Sequence, residues 1–90
     1  MKPVYITIVG FNKYYEIKPF SIGSMLTCEK ERANVYDSEA IRVQMPPIGT
    51  VGYVANSVHT KANGTCSAGR IYEMVGDIFL AQVLFTTSTK

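Results

Sequence analysis

Tryptophan is absent from this 90-residue chain, and histidine occurs once, as His59. The two cysteines, Cys28 and Cys66, are far apart with no cysteine or histidine at ligand spacing. Each shortage removes a class of chemistry. A structural zinc site needs about four clustered nitrogen and sulfur ligands, which these residues do not supply. Both cysteines read as structural thiols. A serine triad has only His59 as its base, and no Gly-x-Ser-x-Gly elbow is present. A Gly-rich loop ending in Gly-Lys-Ser/Thr is also missing, so nothing points to hydrolysis of a nucleoside triphosphate. No apolar run approaches the roughly 20 residues that cross a bilayer. The opening MKPVYITIVG alternates like a strand and lacks the apolar segment of a signal peptide. The expectation is a soluble cytoplasmic protein with no cofactor, no metal, no membrane partner and no catalytic residues.

Charge is sparse: 18% of residues carry it, and the net value is +2. That balance permits contact with phosphate without demanding it, since strong nonspecific nucleic-acid binders carry denser Lys/Arg patches. The hydrophobic share of 47% suits a globular chain. A chain this short buries roughly 60–65% of its unfolded surface, enough for one modest core and a single domain over residues 1–90.

Two-residue alternation is what the chain has in quantity. Val4, Ile6 and Ile8 alternate with Tyr5, Thr7 and Val9, and Gly10 closes this first strand. In a second strand over residues 22–30, Leu26 and Cys28 share one face while Thr27 and Glu29 share the other. Ile41, Val43 and Met45 then oppose Arg42 and Gln44. Pro46-Pro47-Ile48-Gly49 breaks that strand, and a short strand around Val51 and Tyr53 pairs with it as a hairpin. Asn56 or Ser57 caps a brief helix through His59 and Lys61. Residues 62–65 read as loop. Two more strands, Ile71 to Val75 and Ile78 to Phe85, flank a tight turn at Gly76-Asp77. The last carries Phe79, Ala81, Val83 and Phe85 on one face and Leu80 and Leu84 on the other, which predicts a central position. Frequent short strands with little helix predict a mainly β fold, a small barrel or sandwich.

Two clusters draw attention as sites. Lys13, Tyr14 and Tyr15 follow the first strand: either the tyrosines pack on the sheet surface, or one stacks on a nucleobase while Lys13 meets a phosphate. Upstream of Ile41, the loop holds Asn34, Tyr36 and Asp37. Asp37 followed by Ser38-Glu39-Ala40 is good turn chemistry, its side chain bonding a backbone N–H two residues on. The same carboxylate is also suited to accept a hydrogen bond from a sugar hydroxyl. Asp37 and Glu39 share a face in an extended segment, a weak signal for a divalent ion.

Together these segments resemble the HIRAN domain, found alone in bacteria and fused to Swi/Snf-type helicases in eukaryotes. The resemblance is carried by Val9-Gly10 with Lys13-Tyr14-Tyr15, by Leu26-Thr27-Cys28-Glu29-Lys30-Glu31, by residues 34–43 (NVYDSEAIRV) and by Val51-Gly52-Tyr53-Val54. It implies a small OB-like or SH3-like β-barrel of about six strands with one short helix. It further implies a non-catalytic reader of single-stranded DNA, specifically of a free 3′-hydroxyl end, in repair or replication. By position it assigns nucleic-acid contacts to Lys13, Tyr14, Tyr15, Asn34, Tyr36, Asp37 and Tyr53. The family's ATPase resides in helicase domains outside these 90 residues. Lys13 stands where the family usually has arginine, and one extra residue separates Gly10 from the tyrosines. Two other readings compete: a module whose exposed sheet edge pairs with a protein partner or with itself, and a metal-dependent phosphodiesterase built on Asp37 and Glu39.

Overall fold

Alternating β-branched residues make strands here because one face of each can be buried while the other stays wet. A computed structural model of the chain describes residues 3–10, 20–57, 59–84 and 86. Within them lie β1 (Ile8–Val9), β2 (Met25–Lys30), β3 (Ile41–Met45), β4 (Gly49–Val54), a single-turn helix α1 (Ala68–Ile71) and β5 (Ile78–Gln82). All pairings are antiparallel, in one sheet ordered β1-β4-β3-β2-β5. The fold is mainly β, as expected. Because β1 and β5 remain edges, the sheet is open, and "barrel" describes it only loosely.

The alternation expected for β2 and β3 holds. Leu26, Cys28, Ile41 and Val43 are buried on the inner face, and the register sets Cys28 opposite Val43. Burying side chains of this size is worth about 1.5–3 kcal/mol each. Val51 and Val54 of β4 complete that face, and Ala68 and Ile71 of α1 cover it. The expected β3–β4 hairpin is also present, closed by the Pro46-Pro47 turn. Gly49 has φ +103°, a backbone conformation that favours glycine.

Four expectations are corrected. Residues 71–75 are not a strand: Ser67 accepts a hydrogen bond from the Arg70 N–H and starts α1 instead. Ala68 and Ile71 are then buried three residues apart, one helical face. The described residues between 56 and 61 form no helix. Ser57 Oγ does accept the His59 N–H, but the chain makes only one turn, because the Ala62 N–H bonds Thr7 Oγ1 and draws it away. The first strand is shorter than expected. Its β4 pairing covers only Ile8 and Val9, while Tyr5 O accepts the Cys66 N–H and Ile6 bridges to Cys66 in parallel. Finally, β5 is an edge strand and not a central one. Its inner residues Phe79 and Ala81 pack on the core, but Ile78 and Leu80 stay exposed. These changes leave five strands among the described residues.

Both cysteines are free thiols. Burial pushes the Cys28 thiol up to about 11, so at pH 8 only about one in a thousand is the reactive thiolate. Alkylation of Cys28, followed by peptide mass spectrometry, should therefore proceed only as fast as the protein opens. Labelling in native buffer at the rate seen in denaturant would contradict this burial. The helical cover can be tested by urea unfolding: Ile71→Ala should cost about 2–5 kcal/mol. Met74→Ala, one turn on and exposed, should stay within about 0.5 kcal/mol.

Candidate nucleic-acid interface

Between β2 and β3 the chain must reverse direction, and Asn34 organises the reversal. Its Oδ1 accepts the N–H groups of both Tyr36 (2.8 Å) and Asp37 (2.9 Å). Its Nδ2 donates to Glu31 Oε1 at 2.7 Å. Asp37 Oδ1 accepts the Glu39 N–H at 2.9 Å, the turn its sequence predicts. The loop is closed by the Glu31 N–H to Ala40 O at 2.9 Å. With the main chain held from both sides, Val35 and Tyr36 form the tip, 86% and 96% exposed. Asn56 fastens the loop to the helix: its Nδ2 donates to Glu39 Oε1, and its Oδ1 accepts the Gly69 N–H at 2.7 Å.

Beneath the loop, the outer face of the sheet carries a charged network. The Tyr53 hydroxyl donates to both Glu31 oxygens, at 2.9 and 3.1 Å. Arg42 Nη2 donates to Glu29 Oε1 at 2.5 Å, Gln44 Nε2 donates to the same oxygen at 3.1 Å, and Arg42 Nη1 lies 3.9 Å from Glu31 Oε2. The hydrogen bond to Glu29 raises the Arg42 guanidinium above its ordinary range. Its Nε is buried with no hydrogen-bond partner among the described residues. Around the corner, Lys30 Nζ donates to Val75 O and lies 4.5 Å from the centre of the Tyr72 ring. Arg32 pairs with Asp77 at 2.6 Å, which holds that carboxyl below its ordinary range. The pair is exposed and contributes little to stability.

Residues 29–42 carry four carboxylates and three cations, a net charge of −1 against +2 for the whole chain. Charge alone therefore does not draw phosphate to this loop. What it offers is an exposed aromatic face and a carboxylate. Asp37 Oδ2 accepts no hydrogen bond from the described residues. The pairing of Asp37 with Glu39 over a divalent ion is not how the two are arranged, since Glu39 bonds Asn56 and Asp37 bonds the Glu39 main chain. Among the described residues no three His, Cys, Asp or Glu side chains gather as a metal site.

Of the seven residues singled out from the sequence, Asn34, Tyr36 and Asp37 stand in this one loop, and Tyr53 joins them through Glu31. Lys13, Tyr14 and Tyr15 lie outside the described residues. Glu31, Glu29 and Arg42 were missed. Their signal lay in the polar faces of the two alternating strands: the β2–β3 register puts Glu29 opposite Arg42.

Compared with known families, residues 2–71 match the model of the HIRAN domain. Neither the curated proteins nor the solved structures yielded a match. The family match runs from the first strand through the end of α1, so it takes in the whole loop and the residues that fasten it.

Glu31 is the test of this arrangement. Glu31→Ala removes the acceptor shared by Tyr53 and Asn34, and should cost about 1–2 kcal/mol in urea unfolding. Amide exchange at Tyr36 and Asp37 should quicken. Unchanged exchange there would mean that Asn34 holds the turn alone.

Proposed function

The chain belongs to the HIRAN family, in general terms a DNA-binding module, and on that premise we propose that its β2–β3 loop reads the free 3′-hydroxyl end of single-stranded DNA. The observation that carries this reading is Tyr36: an almost fully exposed ring fixed on a turn held by Asn34, next to a carboxylate with one oxygen to spare. The last base stacks on Tyr36, a contact worth about 1–3 kcal/mol for a base on an aromatic side chain. Asp37 Oδ2 accepts the hydrogen bond of the terminal hydroxyl, and its negative charge disfavours a strand that continues or ends in phosphate. Tyr53, tied to Glu31, borders the same outer face. Phosphate contacts fall to residues outside the acidic loop, with Lys13 the first candidate, and Tyr14 and Tyr15 supply further stacking. The module is non-catalytic and serves DNA repair or replication.

The net charge of the loop makes a further point. Few phosphates are neutralised, so affinity is modest and falls only gently with salt, by roughly 0.7 log units per phosphate contact for each decade of salt.

Fluorescence anisotropy with short strands ending in 3′-hydroxyl or 3′-phosphate tests the reading. Wild type should prefer the hydroxyl end. Asp37→Asn keeps an oxygen for the Glu39 N–H and so keeps the turn, but it removes the charge and should abolish the preference. Tyr36→Ala should weaken binding by about 5- to 150-fold without changing stability. Equal affinity for duplex, a steep salt slope, or an Asp37→Asn protein that still discriminates would each rule out end reading.

A further inference from the structure

The outward edge of β5 has main-chain groups that no other described residue bonds. The Lys30 N–H donates to Asp77 O and the Val83 N–H to Ser24 O, at 2.8 and 2.9 Å. With the register Leu26↔Ala81 and Cys28↔Phe79, this turns the main-chain groups of the odd-numbered residues toward β2. The N–H and C=O groups of Ile78, Leu80 and Gln82 therefore point away, and no described residue bonds them. On the outer face of the same strand Ile78 is 63% and Leu80 69% exposed, with Leu84 at 51% and Met25, opposite Gln82, at 52%.

Edges of this kind are normally blunted by a lysine, a proline, a bulge or simple brevity. The opposite edge, β1, is only two residues long. At β5 none of these devices is present: residues 78–89 include no charged residue and no proline.

We propose that β5 is a self-association edge, at which a second copy of this chain adds its own β5 antiparallel across a two-fold axis beside Leu80. Three observations favour a second copy as the occupant. The outward-facing groups, at residues 78, 80 and 82, are symmetric about Leu80. Antiparallel self-pairing therefore sets Leu80 against Leu80 of the second copy and Ile78 against Gln82 twice, satisfying all six outward groups of each copy. A two-fold contact also sets the patch against itself, with Leu80 beside its own counterpart, which penalises charge; a strand with none meets no such repulsion. Paired edge to edge, the exposed Ile78 and Leu80 side chains of the two copies flank one another on one face of the joined sheet, a contact small enough to be weak and reversible. The inference does not depend on the DNA-binding reading.

Sedimentation equilibrium from low to several hundred micromolar protein tests the proposal, together with amide exchange by NMR at both ends of that range. The mass should rise from one chain toward two, with exchange at Ile78, Leu80 and Gln82 slowing as it does. Leu80→Lys should weaken association at least tenfold with unchanged thermal unfolding, because the side chain is exposed. A mass of one chain throughout overturns the proposal. So does a dimer in which those three amides gain no protection, or one that Leu80→Lys leaves intact.

Discussion

The register of β2 against β3 is the constraint on which the other features depend. Setting Cys28 opposite Val43 puts the apolar side chains of both strands on one face. A one-residue slip would turn every one of them to water. The same register puts Glu29 opposite Arg42 on the other face. It also fixes the span that the loop from Glu31 to Ala40 must bridge, and with it the reach of Asn34 to Glu31. Core, network and loop thus follow from a single alignment.

Within that span, the conformation is set by side chains more than by packing. Asn34 accepts two main-chain N–H groups and donates to Glu31, so one residue satisfies donors that a tight reversal would otherwise leave to water. The consequence is an aromatic ring held in solvent. Exposed tyrosines are common, but here the ring sits beside exposed Val35 on a loop fastened at Glu31 and again at Asn56. A fastened loop loses less conformational entropy when a ligand arrives than a free one does, which favours recognition by a small number of contacts.

Much of this was legible in the sequence wherever alternation carried the information. The faces of β2 and β3, the β3–β4 hairpin and the Asp37 turn follow from residue type and spacing. Two of the failures share a cause: short apolar stretches without context. Ile71 to Val75 is apolar enough to read as a strand, yet Ser67 as cap and the three-residue spacing of Ala68 and Ile71 favour a single helical turn. Ile78 to Gln82 is apolar on both faces, and nothing local says whether its second face meets protein or water. The cross-strand contacts of Glu31 were hidden for a different reason. They join residues 11 and 22 positions apart, and only the register brings Arg42 and Tyr53 to that carboxylate.

The choice of aspartate at position 37 has no explanation in the turn alone. Aspartate and asparagine bond a main-chain N–H two residues on about equally well, and Asn34 does comparable work three residues earlier. Without it, residues 29–42 balance three carboxylates against three cations, and the fourth carboxylate alone turns the segment net negative, a charge that an amide would avoid. A turn selected only for its geometry gains nothing from that charge. What the charge supplies is a strong acceptor that is hostile to phosphate, the pair of properties that separates a terminal hydroxyl from a continuing strand. The end-reading proposal gives position 37 the reason that the fold does not.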